Sequence, residues 1–468
     1  MRNLFLISLG KALSNLSLTL NLGSGSTWPG NIALKSNPYF IKELLEKSHT
    51  KVVLIAGTNG KTTTSTLIKH ILRKNGRKVF QNISGANLLN GIASTLLLNT
   101  DRYGILRADY AIFEVDENSL PPLLKELTPH TVILLNLFRD QLDRYGEVNT
   151  IVNNWAKALK DLPATTTLLL NADDPEIAYL GMQRDVILGI RQLAETPESR
   201  KDPGLVRITN TFYFGLSDKK LGQTRFQHAS DSIYCPKCST KLEYDTRLFS
   251  HLGMWKCPQC GLKRPKLSLE KSPFYPLSGI YNMYNTNAAV LFAKINNINN
   301  VAIEQSLKDF KPAFGRQETI TYYGKNIQIF LSKNPTSFNQ SFRTIQELGA
   351  KYVLLVLNDQ APDGRDVSWI WDADIEEYIT NNIHIYISGD RCYDMGLRIK
   401  YTLKNQNSIR QLADKGQNYN SKFKIYENLH EAIDEAVMQT PPDQTLFILP
   451  TYSAMLDVRK IITGKKIL

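Results

Sequence analysis

The sequence predicts an α/β protein: a larger unit with a mostly parallel sheet and an inserted four-cysteine ribbon, then a smaller C-terminal α/β unit. Three observations lead there. Short apolar, β-branched runs alternate with helix-like stretches along the chain. A glycine turn, Gly57-Thr-Asn-Gly-Lys-Thr-Thr63, joins one such run to a helical one. Two Cys-Pro-x-Cys knuckles, at Cys235–Cys238 and Cys257–Cys260, interrupt the first unit.

At 468 residues the chain has room for two or three domains, and 42% hydrophobic with 21% charged residues describes an ordinary globular protein. The net charge of +12 fits an anionic partner. Nucleotide, nucleic acid and membrane surface all satisfy it, and charge alone does not choose. No run of ~20 apolar residues occurs, so no transmembrane span is expected. The N-terminus (Arg2, Leu4-Phe-Leu-Ile-Ser-Leu9, Lys11) is short for a signal peptide and lacks a small-x-small cleavage site. Leu4, Ile7, Leu13, Leu16 and Leu20 are expected to line one side of a packing helix, and the expected compartment is the cytoplasm.

Lys51-Val-Val-Leu-Ile55 reads as a buried strand, and Thr66-Leu-Ile68 with Ile71-Leu72 sit at helical spacing. Strand, glycine loop and helix make a phosphate-binding context. Gly57 and Gly60 let backbone N–H groups turn toward an anion, and the helix N-terminus adds its dipole. Lys61 can then reach the outer phosphates and the Thr62 hydroxyl can ligate Mg²⁺. The match to G-x-x-x-x-G-K-[ST] is incomplete, because Ile55 occupies the first glycine position.

Tyr110–Val115, Thr131–Asn136 and Thr167–Asn171 read as further strands. Polar clusters follow: Glu114, Asp116 and Glu117; Asp140 to Asp143; and Asn171-Ala-Asp-Asp174. Ligands collect at the carboxyl ends of parallel strands, and carboxylates there can hold Mg²⁺. Singly, each acid reads as well as a helix cap or solvated turn; beside the glycine loop, a nucleotide site accounts for them better.

The knuckles leave 18 residues between Cys238 and Cys257, a spacing that gives four thiolates for a tetrahedral structural zinc site. Two disulfides are the alternative in an oxidising compartment. Zinc ribbons often bind nucleic acid, but the intervening segment has little basic and aromatic interleaving, so a structural insert is expected. Cys392 lacks a nucleophile setting and reads as a packing residue.

Asn282, Asn285 and Asn287 precede a helix-like run, where asparagine is a poor interior residue unless its amide is in use. Phe314-Gly-Arg-Gln-Glu318 looks like a junction, with Arg316 a candidate phosphate clamp. Beyond it, strands are expected at Ile327–Leu331, Tyr352–Leu357, Ile383–Ile387 and Thr445–Leu449. The polar segment from Asn358 to Asp372, interrupted by Trp369 and Trp371, is too unusual for a simple connector.

Gly57–Thr63, Asn136 with Asp140 to Asp143, Asn171–Asp174, Asn282-Met-Tyr-Asn285 and Gly315-Arg316 fall in an order that resembles the Mur ligase family over most of the chain. A narrower resemblance, to its MurT branch, rests on the ribbon inside the ATPase domain, Pro29-Gly-Asn-Ile-Ala-Leu34 and Lys333-Asn-Pro335. It also rests on Asp363-Gly-Arg-Asp-Val-Ser-Trp-Ile-Trp-Asp372 and Thr451–Leu456. The resemblance implies an N-terminal segment (1–45), a central ATP-binding domain (46–314) with the zinc ribbon at 225–265, and a C-terminal ligase domain (315–468).

It also implies a reaction. ATP would phosphorylate the α-carboxyl of D-glutamate in the peptidoglycan stem peptide of lipid II or a related precursor, and ammonia would displace phosphate to leave D-isoglutamine. Gly57, Thr58, Asn59, Gly60, Lys61, Thr62 and Thr63 would cradle the phosphates. Asn282 and Asn285 would contact the nucleotide, Arg316 its phosphates, and Thr62 with Glu114 the Mg²⁺. Ammonia should come from a separate GatD-like class I glutaminase subunit, whose Cys-His pair is completed by an aspartate of this chain. Asp366 is first choice, ahead of Asp363 and Asp372; capping of a helix near Val367 is the plainer reading of Asp366. No nucleic acid is expected, and membrane contact would come through the lipid-linked substrate. Gln141 stands where the family pattern has histidine, which puts a second Mg²⁺ site in doubt, and no carbamylated lysine can be placed. The rivals are an amino-acid-adding Mur or folylpolyglutamate-type ligase and, from another class, a non-catalytic zinc-ribbon nucleic-acid protein.

Overall fold

The computed structural model describes residues 2–19, 27–83, 85–140, 148–195, 210–223, 226–312, 315–379, 382–410 and 423–464. Within these, strands β1 (Lys51–Ala56), β2 (Val79–Gln81), β3 (Tyr110–Val115), β4 (Thr131–Leu134), β5 (Thr167–Asn171) and β6 (Thr211–Phe214) form one sheet in the order β2-β3-β1-β4-β5-β6. Every pairing in it is parallel. Alternate residues of β1 serve opposite cores: Val52, Leu54 and Ala56 one side, Val53 and Ile55 the other. That two-sided burial is why the strand reads as an unbroken apolar run. The chain crosses from one side of β1 to the other between β3 and β4, so the crevice lies at the carboxyl end of β1, where the glycine loop starts.

Strands β7 (Glu243–Phe249) and β8 (Leu252–Lys256) form an antiparallel hairpin between the two cysteine knuckles. A second six-stranded sheet, ordered β13-β12-β11-β14-β10-β9, is built from β9 (Arg316–Tyr322), β10 (Lys325–Phe330), β11 (Tyr352–Val356), β12 (His384–Ser388), β13 (Phe423–Ile425) and β14 (Thr445–Pro450). It is parallel except for β9–β10, a hairpin turned at Tyr323-Gly324 with both residues at positive φ. Here too Val353 and Leu355 face one core while Leu354 and Val356 face the other.

The expected strands are present, with β4 ending two residues early, at Leu134. Six strands were not legible. β2 and β13 have three residues each, too few for a period to register. β9 is a polar edge strand whose exposed face carries no apolar signal. β6 has only four residues, and β7 and β8 belong to the ribbon. The N-terminal helix (Arg2–Thr19) forms, but on a different face from the expected one. Asn3, Leu6, Ile7, Gly10 and Ser14 are buried, whereas Leu4 is 41% and Leu16 53% exposed. Close packing sets that face: a Cβ on Gly10 would lie 2.8 Å from Leu97 in the helix Leu89–Asn99. Leu20, Phe314, Gln141 and Asp143 lie outside the described residues, as does the edge of the expected ribbon at 225. Among the described residues no helix is long and apolar enough to cross a membrane.

Candidate active site

The loop leaves β1 at Ala56, and Gly60 begins the helix Lys61–Lys74. Gly57 (φ 141°) and Gly60 (φ 93°) hold conformations that side chains resist. A Cβ on Gly60 would fall 2.1 Å from Asn285 Oδ1. Asn136, just beyond β4, shapes the loop from behind: its Oδ1 accepts from Asn59 N at 2.9 Å and its Nδ2 donates to Asn59 O at 3.0 Å. Thr58 Oγ1 donates to Phe138 O and accepts from Phe138 N. Asn136 and Thr58 therefore hold the loop's shape.

Lys61 Nζ lies 2.5 Å from Gly57 O and 3.3 Å from Glu117 Oε1, at the loop mouth. Burial raises the Glu117 carboxyl, against the pull of Lys61 and Lys333. Thr62 Oγ1 donates to Glu114 Oε2 at 2.7 Å, and Ser65 Oγ to Glu114 Oε1 at 2.9 Å. A hydroxyl and a buried carboxylate at the loop are the hard oxygen donors Mg²⁺ takes, so these residues fit that ion. Asn285 Nδ2 donates to Asn282 Oδ1, and Thr64 Oγ1 reaches Asn285 Oδ1, which ties the helix Ile280–Ile295 to the loop.

The second sheet closes the crevice from above. Asn334 caps the helix Pro335–Glu347 in a reciprocal capping box, and its Nδ2 reaches Asn59 Oδ1 at 3.3 Å and Asp140 Oδ1 at 3.4 Å. Lys333 pairs with Asp140 across the same gap. Arg316, at the start of β9, lies beside Glu114, Tyr281 and Tyr452; burial lowers its pKa, yet a guanidinium keeps its charge. The cleft between the two sheets has a volume of about 570 Å³, the size of a cofactor site. Its walls include Thr58, Asn59, Gly60, Lys61, Thr62, Thr63, Glu114, Asn282, Asn285 and Arg316. The nucleotide candidates thus converge on one cleft, with Gly57 behind it.

Asp173 and Asp174, read from sequence as part of a ligand-gathering strand end, do not line that cleft. Asp173 accepts from Tyr284 Oη at 2.6 Å and pairs with Arg264. Asp174 caps the following helix through Glu176 N and accepts from Leu137 N. Both are consumed by local structure, which sequence could not separate from ligand binding.

The three aspartates of the polar segment have distinct settings. Asp363 is buried and accepts from Ser453 N and Ser453 Oγ. Asp372 pairs with Arg139 at 3.2 Å. Asp366 is exposed; its Oδ1 accepts from Ser368 N at 2.8 Å, and that bond holds its carboxyl below the usual range. Ala361 and Pro362, just before it, line the cleft.

The sulfurs of Cys235, Cys238, Cys257 and Cys260 all lie within 4.8 Å of one another. Cys235 and Cys260 stand 3.6 Å apart, Cys238 and Cys257 3.4 Å. Four thiolates so clustered fit the corners of a tetrahedral zinc site. Cys392 is buried in the core of the second sheet, as expected.

Sequence reasoning missed Tyr281, Thr336 and Gln340 as cleft residues. They carry no motif, and a signal existed only in Asn334-Pro335 opening a helix with Ser337 three residues on.

Comparison with known proteins gives the same picture. Residues 55–188 match the family described as Mur ligase middle domain, and residues 331–455 the family described as MurT ligase C-terminal. The chain is 33% identical over 396 residues to the lipid II isoglutaminyl synthase (glutamine-hydrolyzing) subunit MurT of Staphylococcus aureus strain COL, covering 80% of this chain and 83% of that protein. It is 31% identical over 472 residues to the corresponding subunit of Streptococcus pneumoniae, covering 95% and 94%. Among solved structures, a pseudomurein peptide ligase type C from Methanothermus fervidus shares the fold, with a TM-score of 0.59 at 22% identity over 90% of this chain and 80% of that one. MurF from Acinetobacter baumannii does so at 0.57 and 16%, over 90% and 78%. With that identity over that length, the chain belongs to the MurT family of Mur ligases.

Proposed function

We propose that this chain is the synthetase subunit of a lipid II isoglutaminyl synthase, a glutamine-hydrolysing carbon–nitrogen ligase. The observation that carries this is the cleft itself: a phosphate loop faced by Arg316 and Lys333 of the second unit, with Ala361 and Pro362 of the segment that carries the exposed Asp366 in its wall. ATP lies with its phosphates on the loop from Gly57 to Thr63. An oxygen of the D-glutamate α-carboxylate attacks the γ-phosphorus and ADP leaves. Lys61, the loop amides and Arg316 stabilise the charge that shifts onto the bridging and equatorial oxygens. Mg²⁺ would be held by Thr62 and Glu114 and would neutralise phosphate charge. Ammonia then attacks the acyl carbon, phosphate departs with the C–O bond electrons, and loss of a proton leaves the amide.

Ammonia is supplied by a GatD-like class I glutaminase subunit. An exposed, ionised Asp366 suits the task of orienting a partner's histidine, whereas Asp363 and Asp372 are already committed to Ser453 and Arg139. Trp371, whose ring meets that of Tyr401 edge-on, and Tyr393 and Leu397 on the same face of the helix Cys392–Arg410 form an exposed apolar surface for that partner. The four cysteines hold a structural zinc. The unit boundaries follow the family: 1–45, 46–314 with the ribbon at 225–265, and 315–468. The enzyme works in the cytoplasm on a lipid-linked substrate, which brings it to the inner membrane face.

The test is amidation of lipid II with ATP and ammonium chloride, with and without the glutaminase and glutamine. Product with ammonium from this chain alone, and with glutamine only when both subunits are present, is the expected result. No amidation under either condition sinks the reading.

A further inference from the structure

The N-terminal helix, Arg2–Thr19, is apolar on two sides, one buried and one exposed. Leu6 and Ile7 join the core of the first sheet, and Gly10 packs on Leu97. On the opposite side Phe5, Leu9 and Ala12, at i, i+4 and i+7, are exposed, Phe5 by 68%, with Leu4 at their edge. A surface helix of a globular protein keeps that outer stripe polar, and a helix apolar all round is covered on both sides. A contiguous apolar stripe left outside marks an interaction surface.

The neighbours on either flank add aromatic and basic groups. The helix Trp28–Ser36 runs antiparallel along one flank: a Cβ on Gly10 would lie 3.2 Å from Pro29, and Asn37 Nδ2 donates to Asn3 Oδ1 at 2.9 Å. It presents Trp28, 77% exposed, at one end and the exposed Lys35 near the other. The turn Thr100–Gly104 lies on the other flank, where Lys11 donates to Thr100 O and a Cβ on Gly104 would be 3.2 Å from Leu4. There the exposed Tyr103 carries Arg102 over its ring, 4.8 Å from the centroid. From Arg2 to Lys42 the chain has four basic residues, Arg2, Lys11, Lys35 and Lys42, and no acidic one. The carboxylates at the margin are engaged, Glu43 by Asn3, Asn37 and Arg2, and Asp101 by Arg107. The same flank adjoins the cleft: a Cβ on Gly30 would be 2.0 Å from Asn90 O in the helix Leu89–Asn99, and Asn87 just before that helix lines the cleft wall.

We propose that this face docks on an anionic lipid bilayer, with the N-terminal helix lying in the membrane plane. Phe5 and Leu9 enter the acyl boundary, Trp28 and Tyr103 sit at headgroup level, and Arg2, Lys35 and Arg102 meet lipid phosphates. An apolar helix face rimmed by aromatic and basic side chains suits that interface. Charge also decides against a second copy of the chain, since a two-fold contact would set the basic rim against itself. The inference deepens the membrane-face reading above: there the chain reaches the membrane through its substrate, and here it has a lipid contact of its own.

Co-sedimentation of the full-length chain with phosphatidylcholine vesicles, with and without phosphatidylglycerol and free of any lipid-linked precursor, tests this. Wild type should bind vesicles with about 30% phosphatidylglycerol about tenfold or more tighter than pure phosphatidylcholine, and less tightly as salt rises. The double variant Phe5→Gln/Leu9→Gln keeps good helix formers and should lose about tenfold or more in binding with an unchanged thermal melt. Vesicles should move tryptophan emission to shorter wavelength in wild type and not in Trp28→Phe. No binding by wild type, undiminished binding by the double variant, or an emission shift that survives Trp28→Phe overturns the proposal. If the double variant melts lower, Lys35→Glu/Arg102→Glu decides on exposed side chains alone, and unchanged binding to the anionic vesicles there overturns it. A dimer that the double variant dissociates would assign the face to a second copy and overturn it as well. Binding only to vesicles that carry the lipid-linked precursor overturns the proposal and leaves the substrate reading standing. Failed amidation beside intact binding to bare vesicles sinks that reading and supports this one.

Discussion

Lys61, Glu114 and Glu176 show how far single side chains explain the site. The place of Lys61 at the loop mouth was readable from sequence because it depends on local spacing after Gly60. Replacing it with alanine should lower ATP-dependent turnover about 100-fold or more while the fold survives, read by steady-state kinetics beside a thermal melt. Glu114 was visible as an acid ending a strand, but its bond to Thr62 needed two strands laid side by side. Glu176 was invisible. Burial and the neighbouring Asp174 push its carboxyl up to about 7. A carboxyl raised in the folded state keeps its proton while the unfolded chain loses it, so this group makes stability fall as pH rises from about 4.5 to 7. Glu176→Gln should remove that fall and raise stability at pH 8 by on the order of 2–3 kcal/mol, measured by denaturant melts at several pH values. An unchanged pH slope would contradict the assignment.

Among the elements, the ribbon was the most legible, because four cysteines at metal spacing are a chemical signature independent of the fold around them. Its anchorage was not legible. Trp255 of β8 is buried and donates to Ala172 O at the end of β5, so the insert is fastened to the first sheet. Metal removal should therefore reach beyond the hairpin. Wild type should carry about one zinc per chain, and Cys257→Ser should lose it and unfold at lower temperature, checked by metal analysis and calorimetry. Full zinc content in that variant would refute a four-thiolate site. The glycine loop teaches the opposite lesson. Its residues were found by motif, yet the reason for Gly60 lies on another element: Asn285 stands where a side chain would go. Gly60→Ala should cost ATP affinity by about tenfold or more, since neither φ nor space admits a Cβ.

On the scale of the whole molecule, the question is how two sheets share one reaction. Lys333 and Asn334 reach from the second sheet to Asp140 and Asn59 of the first. Lys333→Ala should raise the KM for ATP more than it alters the melting temperature, because the pair spans the cleft and not a core. Asp366 sits outside the cleft, and Asp366→Asn should lower glutamine-dependent amidation about 100-fold or more while ammonium-dependent amidation persists. Equal loss of both activities would place Asp366 in this chain's own chemistry. The sequence by itself determined the α/β class, the phosphate loop and the cysteine cluster. Each rests on local spacing, the period of a strand, the turn of a loop or the reach of a thiolate. Only the tertiary structure decided which carboxylates are exposed. Asp173, Asp174, Asp363 and Asp366 look alike in the chain, and burial against Arg264, a helix cap, Ser453 or solvent tells them apart. Gln340 belongs to the same class: an unsatisfied amide exists only once the groups around it are packed.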